Sequence, residues 1–154
     1  MKKSVKFLIA VFTLFYSCST TTMASLPSEK RDAIQTAVFK GSYMNVFIPV
    51  VEVFHDEGYT IDQADEWLGF ITTTWKEERV GLFVKQDIRR RMSAHLEKID
   101  VNATRVRLEC LVQVKGDSGW QSTEEDMRAH EARKLYKKFF RLIKRKLEEH
   151  KWMG

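Results

Sequence analysis

Two successive stretches of alternating residues limit the folds open to this chain more than any other feature. Over 87–97 and 104–114, apolar side chains occupy nearly every second position, with polar or charged residues between them. Successive side chains of a strand point to opposite faces, so the pattern predicts two long strands that share one apolar face. Such a face must be covered by another layer, which favours helices packed on one side of an antiparallel sheet.

Two stretches with helical periodicity supply that layer. The first carries an apolar stripe over 43–54, with Ser42 as a candidate N-cap and Gly58 placed to end the helix in the left-handed conformation. Pro49 predicts a kink or a late start in this helix, because proline lacks the backbone donor. The second runs over 123–150, with acidic residues in its first turn and basic residues near its last.

Shorter segments complete the predicted order. Extended structure is expected at 33–39, 59–61 and 69–75, a charged connection at 76–80, and a turn that ends the strands at 116–119. A chain of 154 residues is typical of one domain, which we place at 31–154. We therefore predict an α+β fold, an antiparallel β-sheet with two helices on one face in the order β-α-β-β-β-β-α.

The N-terminus has the pattern of a secretory signal peptide. Lys2, Lys3 and Lys6 precede an apolar run over 7–16, which is too short to cross a bilayer but suits the apolar region of a signal peptide. We predict a signal peptide at 1–17 and a polar tether at 18–30. Removal of the signal peptide leaves 23 basic against 21 acidic residues, so charge no longer supports nucleic-acid binding.

Two cleavage sites compete. Cys18 directly follows the apolar run, as the lipidated cysteine of bacterial lipoproteins does, although only Ser17 of the three preceding residues fits that motif well. The alternative is cleavage after Ala24, because Thr22 and Ala24 are small residues at the positions that ordinary signal peptidase requires. Acyl chains on Cys18 would hold the domain on a membrane.

The segment from Val51 to Thr73 carries a pattern seen elsewhere. A helix ends in Gly58-Tyr-Thr-Ile61, an acidic turn follows, and Gly69-Phe-Ile71 enters a Thr-rich strand. With Ile34-Gln-Thr36 before it, this pattern resembles that of bacterial envelope lipoproteins of unassigned function, over 31–75. It is more distantly similar to the helix-grip domains of a lipoprotein component of the outer-membrane β-barrel assembly (Bam) complex. The resemblance implies a membrane-anchored periplasmic domain, not membership of that complex.

The candidate binding surface is a row of arginines. Arg89, Arg91, Arg105 and Arg107 fall on the strand positions opposite the apolar face, with Glu97 and Glu109 among them. A guanidinium group can bind phosphate or carboxylate through its planar fork. Cross-strand pairing between these arginines and glutamates is the alternative. Basic residues also outnumber acidic ones by four from Thr123 onward, which suits either a solvated helix or attraction to anionic lipid.

The sequence offers no catalytic or metal-binding constellation. The four histidines are far apart and none has the spacing of a zinc motif. Cys110 lies between apolar neighbours of one strand and is expected to be a buried, inert thiol. The acidic residues around 56–66 are expected to form a solvated turn. We predict no enzymatic activity, no cofactor and no metal.

Two functions are compatible with these features. The first is a membrane-tethered binding or assembly module of the cell envelope, anchored at Cys18 and facing the periplasm, with the outer membrane favoured over the inner. Its partner would be an envelope protein or anionic lipid, and not nucleic acid. The second is a periplasmic carrier of a small ligand or lipid, with a pocket between the long helix and the sheet lined by Trp67, Phe70 and Trp75.

Overall fold

The fold is built on one long β-hairpin, to whose two edges the other strands are added. A computed structural model of the chain describes residues 21–81, 85–122 and 127–153. The described elements are α1 (Ser28–Gln35), β1 (Thr36–Lys40), α2 (Tyr43–Asp56), β2 (Ile61–Asp65), β3 (Phe70–Thr73), β4 (Lys76–Val80), β5 (Gln86–Asp100), β6 (Ala103–Gly116), β7 (Gly119–Ser122) and α3 (Ala129–Met153). The signal peptide 1–17, Cys18 and residues 123–126 lie outside the described residues.

The sheet is antiparallel throughout the described chain. Strands β5 and β6 pair from Ile88 opposite Val114 down to Asp100 opposite Ala103. At one end of this hairpin β4 extends the β5 edge and β7 extends the β6 edge. At the other end β3 and then β2 follow β5, while β1 follows β6. The predicted α+β class and antiparallel sheet are confirmed, and the structure adds α1, β4 and β7 to the predicted order.

The predicted alternation decides which side of the hairpin is buried. On β5 and β6 the apolar positions are covered by α2 and α3, and the core joins Met92 and Leu108 to Phe54, Phe139 and Ile143, all at most 1% exposed. The other side of the sheet carries the charged positions, and we call it the open face. Because β5 and β6 each have one apolar side, helices on that side bury it and leave the opposite side in water.

Residues 21–30 are part of the fold, which corrects the predicted tether at 18–30. Met23 is buried in the core with 6% exposure, and its amide donates to the Met127 carbonyl at 3.2 Å. Thr22 forms a β-bridge with Arg128, so the described part of α3 begins at Ala129. The predicted start of this helix at residue 123 lies outside the described residues. The chain from Ser28 to Gln35 is helical because it packs against α3, so the predicted strand over 33–39 begins only at Thr36.

Two features of α2 differ from local expectation. Ser42 stands at the N-cap position, but its side chain makes no capping hydrogen bond. Pro49 is buried inside the helix, which continues through it. The helix ends as predicted, with Gly58 at φ +79°, and the Tyr59 amide then donates to the Phe54 carbonyl at 2.9 Å.

A side-chain hydroxyl covers the part of the β6 edge that lies between β1 and β7. The pairings of β1 end at Arg107 and those of β7 begin at Gln113. Between them the Cys110 amide donates to the Tyr136 hydroxyl of α3 at 3.1 Å, and Gln35 Nε2 donates to the same oxygen at 3.4 Å. Burial raises the pKa of the Tyr136 hydroxyl to about 12. The buried Tyr136 hydroxyl therefore accepts a backbone hydrogen bond at a point where no strand of the described chain is paired with β6.

Gly69 is the position at which β3 meets the hairpin most tightly. Its φ is +69°, and a Cβ there would lie 2.3 Å from the Leu96 carbonyl oxygen. The Leu96 amide donates to the Gly69 carbonyl at 2.7 Å, so the two backbones are held together. The atom that a Cβ would meet belongs to the backbone of Leu96, so it cannot move aside as a flexible side chain could.

Gly69→Ala is therefore expected to destabilise the protein by at least about 2 kcal/mol, from strain at positive φ and the backbone clash. Urea unfolding measures the change. The matched control is Gly116→Ala, where a Cβ meets only the Gln121 side chain at 3.3 Å and φ is not positive. Equal midpoints for Gly69→Ala and the wild-type chain would contradict this account of the β3 contact.

Candidate functional site

The four predicted arginines lie on the open face, but in two separate groups. The hairpin register places Arg89 opposite Gln113 and Arg91 opposite Leu111, near β4 and β7. It places Arg105 opposite Glu97 and Arg107 opposite His95, near β1 and β3. The structure thus divides the predicted arginine row into two pairs with different surroundings.

Carboxylates neutralise the pair near β1. Arg105 Nη1 lies 2.6 Å from Glu97, and Arg107 lies 3.2 Å from Asp32 of α1 and 3.6 Å from Glu109. These residues surround a depression of about 490 Å³. The cross-strand pairing considered from the sequence describes Arg105 with Glu97, whereas Arg107 pairs with α1 and within its own strand. Both arginines therefore have little positive charge left for a partner. Such exposed ion pairs contribute only about 0–1 kcal/mol to stability.

The pair near β7 is stacked on tryptophan instead. The Arg89 guanidinium carbon lies 4.6 Å from the ring centre of Trp75 and 4.7 Å from that of Trp120. Its Nε donates to Gln113 Oε1 at 2.7 Å. We call Trp75, Arg89 and Trp120 the tryptophan–arginine stack. Arg91 lies 5.7 Å from the Trp75 ring, at one side of this stack.

The stack is a positively charged surface with fixed geometry. Within the described residues neither Arg89 nor Arg91 has a carboxylate within 4.0 Å, and no hydrogen-bond acceptor faces the Nη groups of Arg89. Lys115 adds a third cation, 5.9 Å from the Trp120 ring. Two aromatic contacts and one hydrogen bond hold Arg89 in place, so its outer donors can meet a carboxylate or phosphate with little loss of side-chain entropy.

The sequence pattern does not reveal the two tryptophans of this stack. Trp75 follows β3 on the open face, whereas the sequence predicts it in a pocket on the helix side. Trp120 belongs to β7, which lies beyond the turn at Gly116 and Gly119 where the strands are predicted to end. The spacing of the two glycines could have predicted β7. Gly116 and Gly119 pair across a two-residue turn, and this hairpin places Trp120 opposite Lys115.

A cleft lies on the helix side, between α3 and the sheet. Its volume is about 1220 Å³, its floor is apolar, and basic side chains of the sheet and of α3 stand around it. The lining residues that matter here are Ile88, Val112, Val114, Leu135, Met127, Arg90, Arg128, Lys134, Lys138 and Arg141. The expected lining is wrong: Trp67 is 90% exposed in the β2–β3 turn, Phe70 is 38% exposed, and Trp75 contacts Arg89 on the open face.

Arg90 is the charged residue that enters the buried row of β5. It pairs with Glu78 of β4, and Glu78 also lies 3.2 Å from Lys76. Residues 76–80 form a strand instead of the predicted connection because they pair with β5 along their whole length, from Lys76 opposite Arg90 to Val80 opposite Gln86, and the Glu78 pairs add to this contact. Arg90 Nε is buried and has no hydrogen-bond partner among the described residues.

The remaining reactive groups have structural surroundings. Burial raises the pKa of the half-buried Cys110 thiol to about 12, as expected of an inert cysteine. Within the described ranges no three histidine, cysteine or acidic side chains gather in a way that could hold a metal ion. None of the described helices is both long and apolar enough to cross a membrane.

Comparison with known proteins adds the following. No protein-family model matches the chain, and no curated protein matches it. Among solved structures, a TBP-like protein from Parabacteroides distasonis has a TM-score of 0.48 at 7% identity, covering 73% of this chain and 90% of its own. A DUF4468 family protein from Bacteroides ovatus has a TM-score of 0.42 at 9% identity, covering 73% of this chain and 84% of its own.

Proposed function

We propose that this chain is an exported lipoprotein of the bacterial cell envelope, anchored through Cys18, that binds an acidic partner with the tryptophan–arginine stack. It acts by binding and not by catalysis. The observation that carries the proposal is the contrast on the open face. Arg105 and Arg107 are neutralised by carboxylates, whereas Arg89 is stacked on two indole rings and its Nη groups have no acceptor among the described residues.

Placement of residues 21–24 supports anchoring at Cys18 over cleavage after Ala24. Cleavage after Ala24 would remove Met23 from the core and break the Thr22–Arg128 bridge. It would also remove the Thr21 carbonyl, which accepts from the Ala129 amide at 2.9 Å at the start of α3. Burial of a methionine side chain is worth about 1.5–3 kcal/mol, so a chain that began at Ser25 would be less stable than one that began at Cys18.

The anchor is tested by the intact mass of the mature protein from its own host. We expect a chain that begins at residue 18 and carries acyl groups. A wash at about 1 M salt should release a Cys18→Ala variant from the membrane fraction while the wild-type protein is retained. A mature protein that begins at Ser25 without lipid would contradict the anchor.

Partner binding is tested with a photo-reactive amino acid at position 111. Leu111 is 52% exposed on the open face opposite Arg91, next to the stack. In intact cells we expect a crosslinked product that falls by at least about tenfold in Arg89→Glu, because charge reversal in a specific contact costs several kcal/mol. The matched variant Arg105→Glu, outside the stack, is expected to keep the product.

A second photo-reactive position at Trp67, in the distant β2–β3 turn, measures random collision. Equal yields at positions 67 and 111, or a yield at 111 that Arg89→Glu leaves unchanged, would rule out the stack as the binding site. Circular dichroism of each variant establishes that the fold is kept, since Arg89 is on the open face and outside the core.

The cleft supports a second candidate function, a carrier of an amphipathic anion. Its apolar floor can take a hydrocarbon chain, and Arg128, Lys134 and Arg141 at its margin suit a negatively charged head group. A carrier isolated from its host is expected to retain such a molecule in native mass spectra, and to lose it when Val112→Glu places a charge on the floor. A ligand-free mass in the wild-type protein would count against the carrier.

A further inference from the structure

Helix α3 uses its basic residues differently on its two sides. On the side that faces α2, Lys138 pairs with Glu57, Lys146 lies 2.9 Å from Asp56, and His150 lies 2.8 Å from Glu52. Arg145 pairs within the helix with Glu149 at 3.6 Å. These basic side chains are therefore paired with carboxylates of the same chain.

The other side of α3 keeps its charge. We call it the basic flank, and it consists of Lys134, Lys137, Arg141, Lys144 and Lys151. All five side chains are exposed, and none has a carboxylate within 4.0 Å in the described part of the chain. Their spacing of three, four, three and seven residues keeps them on one side of a helix over about 26 Å. Glu131 and Glu148 are the acidic residues near the flank. Because its five cations outnumber these two carboxylates, the net charge of this surface is positive.

Apolar groups accompany these cations. A groove of about 720 Å³ between β1 and α3 is lined by Val38, which is 58% exposed, and by the half-buried Phe140, among the cations Lys137, Arg141 and Lys144. Long basic side chains beside exposed apolar surface are typical of helices that lie at a membrane interface, where the stem contacts the acyl boundary and the ammonium group contacts the head groups.

The N-terminal segment leaves the fold next to this flank. Thr22 lines the same cleft as Lys134 and Arg141, and Arg141 also lines the groove beside β1. Cys18 and Thr21 are three Cα–Cα steps apart, a span of at most about 11 Å. An acylated Cys18 would therefore keep the basic flank close to the bilayer, and such proximity raises the effective concentration of head groups around it.

We propose that the basic flank of α3 binds the surface of a bilayer that contains anionic phospholipid. The proposal deepens the proposed function, because it rests on the lipid anchor at Cys18 and assigns the surface that faces the membrane. A bilayer fits better than an acidic protein, since the cations form an exposed row of flexible side chains without the fixed, partly buried donors that Arg89 has on the open face.

The test uses the mature chain from residue 18 with Cys18→Ala, so that binding does not depend on acylation. The probes are vesicles of phosphatidylcholine with phosphatidylglycerol and vesicles of phosphatidylcholine alone, compared by co-sedimentation. We expect binding to the first only, and loss of it between about 0.1 M and about 1 M salt. The variant Lys137→Gln/Arg141→Gln/Lys144→Gln should lower the partition coefficient by about a hundredfold, at about fivefold for each charge removed.

A control variant removes equal charge elsewhere. Lys98→Gln/Arg105→Gln/Arg107→Gln has the same net charge but leaves the flank intact, and it is expected to bind like the parent chain. Equal losses in the two variants would reduce the effect to net charge and overturn the proposal. So would equal binding to both kinds of vesicle.

Acetylation of lysines in the native, membrane-bound protein gives a second measurement that needs no variant. Lys137 and Lys144 are expected to be protected relative to Lys98, and to become reactive when detergent releases the protein. If they react like Lys98 on a membrane while the intact mass carries acyl groups, the anchor stands and the docking of the flank is overturned.

Discussion

The pairing of β5 with β6 is the constraint on which the rest of this structure depends. Its register sets Met92 opposite Cys110 and Ala94 opposite Leu108 on the side that the helices cover. A shift of β5 by one residue would turn Arg89 and Arg91 toward the core and Met92 and Ala94 into water, at a cost of many kcal/mol. The hairpin has two free edges, and each is long enough to pair with two strands. Strands β3 and β4 pair with the β5 edge, and β1 and β7 pair with the β6 edge.

The alternation in the sequence is sufficient to predict this hairpin and both of its faces. It places Arg89, Arg91, Arg105 and Arg107 on the exposed side, and the helical stripes locate most of α2 and α3. Those signals are strong because each element has one apolar side, and burial acts on every turn or every second residue.

Strand β4 and the tryptophan–arginine stack are beyond such a prediction. Strand β4 has no apolar alternation, and it is placed by backbone pairing with β5, to which the Glu78–Arg90 and Arg79–Asp87 ion pairs are added. Trp75 and Trp120 are 45 residues apart, and both reach Arg89 because the start of β4 and β7 lie at the same end of the hairpin. Contacts between residues so far apart in the sequence depend on which strands become neighbours in the sheet. Local periodicity does not show which strands those are.

The hydroxyl of Tyr136 has a consequence for how this protein behaves beside copies of itself. A stretch of β6 without a neighbouring strand is a place where another chain can add a strand and begin an aggregate. Here the Tyr136 hydroxyl accepts hydrogen bonds from the Cys110 amide and from Gln35, so this backbone donor is not available to another chain. An intruding strand would first have to displace a buried aromatic side chain from the core. At this amide of β6 the Tyr136 hydroxyl thus takes the place of a carbonyl group from a neighbouring strand.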